Sequence, residues 1–175
     1  QPTRAWDGKT EPGKDVLELI SRAGSDLAPE NCRRYEREME NGLDTYLRVP
    51  GPSQIRKLAF SVAEKNALAF GRARIRITWD DATEPSIDAP IALFFGAGVL
   101  YNRDGREYLV KGFPMNIRHA SNRVELACYY PMPLRGGAHI EIVAPNGEKL
   151  PTFNYSYAFE RLETPFRDVG YFHRS

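Results

Sequence analysis

The sequence predicts a mainly β protein, a sandwich of antiparallel strands preceded by a short helical arm. From Leu43 onward, apolar and polar residues alternate in many short runs, which is the period of half-buried strands. Turn-forming combinations of Asn, Asp, Gly and Pro separate these runs, for example at residues 102–105 and 145–147. Many short strands punctuated by such turns favour a β-sandwich.

Residues 1–42 form a charged arm with two segments of helical character. In residues 14–23 the apolar side chains recur at helical spacing, and Gly24 follows as a stop signal. Pro29 opens a second, polar segment over residues 30–41, which a glycine again follows. We therefore expect two short helices, the second of which presents its charged run as a solvated face or as an interaction surface.

Nine segments after the arm are strand candidates. Arg72, Arg74 and Arg76 alternate with apolar residues, so one face of their strand should be buried while the other meets solvent or another subunit. In residues 152–160 the aromatic side chains fall on one face. The candidates are residues 44–49, 54–63, 71–79, 87–90, 107–110, 123–130, 138–144, 152–160 and 169–173.

Length, composition and charge limit the class of protein. A chain of 175 residues suits a single domain. With 24 basic and 23 acidic residues the net charge is +1, which gives no long-range attraction for a phosphate backbone, so no nucleic-acid partner is expected. No apolar run reaches the length of about 18 residues that a membrane span needs, so no membrane span is predicted.

The first residue and the two cysteines bear on the compartment. The chain begins with Gln1 rather than Met, which is typical of a removed signal peptide or expression tag, and we expect a secreted or periplasmic protein. Cys32 and Cys128 lie far apart in the sequence and leave the disulfide state undecided.

Three acidic residues follow the predicted strand that ends at Trp79. Asp80, Asp81 and Glu84 stand in a loop after a strand, where functional groups often lie, and could form a catalytic cluster. Aspartates in a turn also accept backbone N–H bonds and so cap the connection. Trp79 could stack on a sugar ring or belong to the core with its indole N–H hydrogen-bonded. Both alternatives stay open for these residues.

The segment at residues 116–123 is rich in hydrogen-bonding groups that suit sugar hydroxyls, and it is equally typical of a polar loop. It contains Arg118 and His119, of which the histidine could titrate near neutral pH. No His-x-His or Cys-x-x-Cys pair occurs in the sequence, so no metal is predicted. The sequence has no Gly-x-Ser-x-Gly nucleophile elbow. It has no phosphate-binding glycine loop either, so nucleotide chemistry has no support and we predict no cofactor.

Several motifs in this chain resemble those of glycoside hydrolase family 172. In that family a strand ending in Trp-Asp is followed by Pro-Ser-Val, Pro-Leu and Phe-Phe-Gly. The matching positions here are Trp79-Asp80, Pro85-Ser86-Ile87, Pro90-Ile91 and Phe94-Phe95-Gly96. Residues 129–134 resemble the family's Tyr-Phe-Pro-Met-Pro-Phe, and residues 49–55, with Pro50, are similar to its Gly-Pro-Gly-x-Ile. The order and spacing agree over residues 45–175.

This resemblance implies a fold and a partner that the strand spacing alone does not decide. Spacing is compatible with both immunoglobulin-like and jelly-roll sandwiches. The family's members look like two successive jelly rolls assembled as trimers or hexamers, so residues 43–175 would be the first jelly roll. The implied substrate is a furanoside glycan with fructofuranosyl or arabinofuranosyl linkages, cleaved in polysaccharide breakdown. From their own chemistry and position we select Trp79, Asp80, Asp81, Arg118 and His119 as candidate substrate-binding residues.

The catalytic residues stay unknown from the sequence. Glycoside hydrolysis usually needs two carboxyl groups that flank the scissile bond. The family's glutamates lie in a Gly-Glu-Gly-Asp segment and a Gly-Thr-Gly-x-Glu-Asp-Tyr segment, and neither occurs in these 175 residues. We therefore expect a fragment or a truncated member, without its own catalytic pair and inactive alone. The alternatives are a non-catalytic carbohydrate-binding sandwich and a structural assembly domain.

Overall fold

A computed structural model describes residues 9, 11–49 and 51–173 of the chain. Most of the regular structure is β-strand, arranged as two antiparallel sheets, which confirms the prediction of a mainly β sandwich. Pro50 of the third motif, most of residues 1–10 of the arm, and residues 174–175 lie outside the described residues.

The described residues form eleven strands and three short α-helices. The strands are β1 (Arg33–Met39), β2 (Leu43–Arg48), β3 (Ser53–Ala63), β4 (Arg74–Trp79), β5 (Ile87–Pro90), β6 (Tyr108–Lys111), β7 (Met115–Ala120), β8 (Arg123–Cys128), β9 (Met132–Leu134), β10 (Gly137–Val143) and β11 (Phe153–Arg161). The helices are α1 (Lys14–Ser21), α2 (Ala67–Arg72) and α3 (Ile91–Phe94). Single 3-10 turns lie at Glu64–Asn66, Pro145–Gly147 and Phe166–Asp168.

The order of the strands identifies the sandwich as a jelly roll. The large sheet runs β1-β11-β3-β8-β7-β6, with β9 also paired to β3, and the small sheet runs β2-β10-β4-β5. If the β6–β7 hairpin and β9 are set aside, the remaining strands pair from the outermost in sequence to the innermost. The nested pairs are β1 with β11, β2 with β10, β3 with β8, and β4 with β5. Successive pairs belong to alternate sheets, as in an antiparallel ribbon that rolls up, which is the jelly-roll arrangement.

The core lies between the two sheets and is rich in aromatic rings. Phe60 stands at its centre, with ring centroids 5.7–6.0 Å from those of Phe70, Phe95, Phe153 and Tyr155. Each of these five side chains is at most 5% exposed. The predicted alternation in the aromatic strand therefore places Phe153 and Tyr155 inside, as expected for a half-buried strand.

The predicted strand at residues 71–79 is correct from residue 74 onward. Arg72 ends α2, whereas Arg74 and Arg76 lie on the outer face of β4 and pair with Asp88 of β5 at 2.7 and 3.3 Å. Ile75 and the other alternate residues of β4 are buried, so the two-residue period predicted the faces of this strand.

The arm contains one of the two predicted helices. The helix α1 begins at Lys14 as expected and ends two residues before the predicted end. The second helix, predicted over residues 30–41, is wrong because Arg33–Met39 is strand β1. Its backbone pairs in antiparallel register with β11, and this pairing partner lies too far along the chain to be seen in the local pattern. The division into an arm (1–42) and a sandwich (43–175) stays a prediction.

The predicted last strand, at residues 169–173, is also wrong. The chain there makes the turn Phe166–Asp168 and continues without regular structure, with the Phe172 carbonyl accepting a hydrogen bond from Trp79. Besides β1, the strands β7 and β9 were not among the candidates. Pro133 lies within β9, and a proline is a poor strand signal although it is tolerated at a short strand.

Candidate functional site

A cavity of about 820 Å³ opens at one end of the small sheet. It lies where β4 ends, beside the turn between β9 and β10 and the segment that follows β11. This volume is within the range of ligand pockets. Its lining residues are Tyr46, Arg48, Trp79, Asp80, Asp81, Ala82, Ser86, Arg135, Gly136, Gly137, Tyr171 and His173.

Asp80 holds the wall of this cavity together. Its carboxylate accepts backbone N–H bonds from Arg135, Gly136 and Gly137 at 2.7 to 3.1 Å. It also accepts the Tyr171 hydroxyl at 2.7 Å. Burial raises the pKa of Asp80, but these hydrogen bonds outweigh burial, and the net pKa is lower than usual. A carboxylate with both oxygens occupied in this way is suited to fixing the loop and not to taking a proton.

Trp79 forms the floor beside Asp80 and belongs to the core. It is 2% exposed, and its indole N–H donates to the Phe172 carbonyl at 2.7 Å. Its ring therefore offers little surface for stacking on a sugar. Trp79 and Asp80 instead bind the segment after β11 against the end of β4.

Asp81 is the carboxylate of this cavity that faces solvent. It is exposed and lines the opening, whereas Glu84, also exposed, lies outside the lining. Among the described residues that line the cavity, Asp80 and Asp81 are the acidic ones. The three acidic residues of the sequence motif thus do not form a cluster in which two free carboxyl groups face one bond.

Tyr46 gives the cavity an exposed aromatic face. The side chain is 52% exposed, stacks on His139 at a centroid distance of 5.6 Å, and donates its hydroxyl to the Asp80 carbonyl at 3.0 Å. The Arg48 guanidinium lies 5.8 Å from the ring centroid. Ring and guanidinium are thereby held at the opening, where the ring can pack on an apolar sugar face and the guanidinium can bind hydroxyls.

Sequence reasoning did not select Tyr46, Arg48, Arg135 or Tyr171. The alternation in β2 marks Tyr46 as outward-facing, but nothing near it in the sequence indicates Asp80 as its neighbour. The proximity follows from the pairing of β2 with β10 and of β10 with β4. These are contacts between distant segments, which a local pattern cannot supply.

Arg118 and His119 lie elsewhere, on β7 of the large sheet. The Arg118 guanidinium pairs with Glu107 at 3.0 Å, and His119 Nδ1 lies 3.0 Å from the Glu64 carboxylate. Neither residue lines the cavity at the end of β4. The structure therefore brings together Trp79, Asp80 and Asp81 of the five predicted residues, and separates the other two from them.

The lining groups are those of a binding site for a polar ligand. Arg48, Arg135 and His173 supply donors, Asp81 an acceptor and Tyr46 an apolar face. Over the described part of the chain, no group of three or more His, Cys, Asp or Glu side chains could hold a metal ion. None of the helices within residues 11–173 has the length and apolar character of a membrane span.

The comparison with known proteins identifies a family for this chain. A family model described as GH172 domain-like matches residues 45–154. This range begins in β2 and ends in β11, so it includes the end of β4 and most of the cavity wall. No curated protein matches the chain.

Proposed function

The chain belongs to the GH172 domain-like family, and on that premise we propose that it is the first jelly roll of a glycoside hydrolase acting on furanosides. The linkages are fructofuranosyl or arabinofuranosyl. The cavity at the end of β4 is the part of this jelly roll that contacts the sugar. The observation that supports this role is the exposed Tyr46 ring, which lines a cavity of about 820 Å³ together with Arg48 and Asp81.

The contribution of this chain is binding, and bond cleavage needs carboxyl groups from another segment. Asp80 is saturated with hydrogen bonds, which leaves Asp81 as the free acid among the described lining residues. A glycosidase needs two carboxyl groups across the scissile bond. The family's two glutamate segments would supply them in the complete enzyme.

An oligomeric state, a trimer or hexamer, is part of the proposal. Exposed apolar side chains on α2, α3 and the following loop support an assembly surface, because such side chains are often covered by a neighbouring subunit. They are Leu68, Leu93, Val99 and Tyr101, each 43 to 60% exposed. We also propose a secreted or periplasmic location, where such an enzyme would meet polysaccharides outside the cell.

Binding of an arabinofuranosyl trisaccharide to the chain tests the cavity. We expect Tyr46→Ala to weaken binding about fivefold, since an aromatic contact contributes about 1 kcal/mol. Asp81→Ala should weaken it further by removing a charged acceptor. Glu84→Ala is the matched control because Glu84 is exposed in the same loop but outside the lining. Equal affinity of all four proteins in calorimetry would exclude the cavity as the sugar site.

A hydrolysis assay tests whether this chain only binds the sugar and leaves bond cleavage to carboxyl groups of another segment. We expect the 175-residue chain to release no nitrophenol from a nitrophenyl arabinofuranoside. Turnover that is lost in Asp81→Asn would show that this chain carries its own catalytic acid and would overturn the assignment of catalysis to the family's glutamate segments.

A non-catalytic glycan-binding module is the second candidate, favoured because Asp81 is the one free carboxylate among the described lining residues. The intact mass of the native protein separates the two candidates. A mass near 19.9 kDa, that of this chain, favours the binding module. A mass near twice that value favours a hydrolase with a second jelly roll.

A further inference from the structure

A second cavity, of about 360 Å³, lies on the outer face of the large sheet, away from the core. The inward-facing residues Leu58, Phe60 and Leu126 of β3 and β8 are at most 2% exposed, so the alternate residues of these strands face outward. Those alternate residues form the floor of the cavity, which we name the outer trough.

The register of five strands sets the shape of the outer trough. One row across the sheet consists of Glu36, Ser156, Ala59, Ala127 and Asn116. The three middle residues have small side chains, while the two at the ends are large and polar. Since neighbouring strands lie about 4.8 Å apart, the row measures about 19 Å from β1 to β7. It is a depression that runs across the strands.

Larger polar side chains border the floor on both sides. Lys57 and Tyr129 stand on one side, with Asp26 of the arm above them. The next row of the sheet stands on the opposite side and consists of Asn154, Ser61, Glu125 and Arg118. The arm is part of the rim, because the Asp26 carboxylate binds Lys57 at 2.8 Å and Arg34 at 3.0 Å.

The cations that line the outer trough have ion-pair partners, whereas some of its hydrogen-bond acceptors have none among the described residues. Both lining cations have partners, since Lys57 pairs with Asp26 and Arg118 pairs with Glu107. The Glu125 carboxylate and the Ser156 hydroxyl, in contrast, make no hydrogen bond to any described residue. A ligand for this site therefore has to donate hydrogen bonds to acceptors, and an anion would meet carboxylates whose neighbouring cations are already neutralised.

We propose that the outer trough binds a neutral, hydroxyl-rich ligand, a short glycan that lies across the strands and donates hydroxyl hydrogen bonds to Glu125, Glu36 and Ser156. Asn116, which is 4% exposed, hydrogen-bonds to the Tyr129 side chain and so closes the end of the floor. The outer trough is separate from the cavity at the end of β4, with which it shares no lining residue. Its binding is independent of the furanoside activity proposed above.

Backbone amide NMR of the labelled chain, titrated with arabinotriose and with maltotriose, tests this site. We expect the amide signals of Ala59, Ala127 and Ser156 to shift on titration with at least one probe. Signals of Asp81 and Gly136 report separately on the cavity at the end of β4. Failure of one site is thus distinguishable from failure of the other.

Two variants and one matched control locate the binding. Ser156→Leu fills the floor of the outer trough and should abolish the shifts there, and Glu125→Gln, which keeps the size of the side chain, should weaken binding about tenfold by removing a charged acceptor. Tyr46→Ala should leave the outer trough unchanged. Because Glu125 is exposed, its variant remains informative even if Ser156→Leu fails to fold.

Two results would overturn the proposal. One is the absence of shifts at Ala59 and Ala127 with both neutral probes up to about 10 mM, a concentration that detects millimolar affinity. The other is that trigalacturonate binds the outer trough as tightly as the neutral trisaccharides, because the Glu36 and Glu125 carboxylates should repel its own carboxylates.

Discussion

Among individual residues, Asp80 joins three parts of the chain through one carboxylate. It follows β4, has a left-handed backbone with φ of 51°, and binds the turn after β9 and Tyr171 from beyond β11. Aspartate tolerates this conformation better than most side chains do. The wall of the cavity therefore depends on a residue that the ligand itself need not touch.

We expect Asp80→Asn to lower the free energy of unfolding by about 2 kcal/mol, because hydrogen bonds to a charged acceptor are lost. The amide would also present its N–H₂ group to N–H and O–H donors. Denaturant titration measures the effect, and Asp81→Asn, at the exposed neighbouring residue, should leave stability nearly unchanged. An equally large decrease in the free energy of unfolding of Asp81→Asn would contradict the role given to Asp80.

We also expect the difference in the free energy of unfolding between wild type and Asp80→Asn to depend on pH. The pKa of Asp80 is lowered on folding, so its stabilisation is fully present above the unfolded value of about 3.9 and is lost as pH falls through the folded pKa below it. The difference between wild type and Asp80→Asn should thus be constant near neutral pH and shrink in acid below about pH 4. Using the difference removes the contribution of Asp26, whose pKa is also lowered.

Only part of this residue's role could be predicted from the sequence. Turn chemistry predicted that Asp80 would accept backbone N–H groups. It could not predict that those groups belong to Arg135, Gly136 and Gly137, since they reach Asp80 through the pairing of β4 with β10.

Among the elements, β1 shows how a strand can have the composition of a helix. All but one of its residues are exposed, so it has no buried stripe to reveal its period. What stabilises it is its pairing with β11 and the stacking of Tyr35 on Tyr157, with centroids 5.0 Å apart. Charged side chains on such an edge strand also disfavour pairing with other chains.

We expect Tyr35→Ala to lower the free energy of unfolding by about 1 kcal/mol, because a cross-strand aromatic pair is lost. Glu38→Ala on the same strand, where no aromatic contact is made, is the matched control. Thermal or denaturant unfolding measures both. If the free energy of unfolding falls equally in both variants, the stacking of Tyr35 contributes nothing to stability beyond strand propensity.

The arm should depend on Asp26, which binds Lys57, Arg34 and the Ala28 amide. We expect Asp26→Ala to increase hydrogen exchange in residues 24–32 while the core strands stay protected, since the anchors lie at the rim of the sheet. Mass-spectrometric exchange measures this, with Glu30→Ala as an exposed control in the arm. Uniform loss of protection throughout the chain would instead indicate that the arm is part of the cooperative core.

In the whole molecule, the aromatic centre of the sandwich should dominate stability. Phe60 contacts rings from the helix α2, from the segment after α3 and from β11. We expect Phe60→Ala to cost about 3 to 5 kcal/mol, as for large-to-small changes in a packed core. Leu68→Ala, at a side chain that is 43% exposed, should cost less than about 0.5 kcal/mol. Denaturant unfolding compares the two.

The whole-molecule architecture was predictable to the level of a sandwich. Alternation placed eight of the nine candidate segments in strands, including β4 with its buried Ile75 and outward Arg74. Alternation does not encode which strands pair, so the jelly roll followed from the family motifs instead. The α2 helix was missed because Ala67–Arg72 lies between two strands and is held by tertiary packing of Phe70.

The nested pairing of the strands also determines when the chain can fold. Arg33 of β1 has its partner in Phe159 of β11, so this first strand cannot find its place until nearly all of the sandwich has left the ribosome. Contacts between such distant residues make folding slow. At a synthesis rate of about 5 to 20 residues per second, several seconds pass between the synthesis of β3 and that of its neighbour β11. During that interval the nascent chain would be a substrate for chaperones, and only the small hairpins can form early.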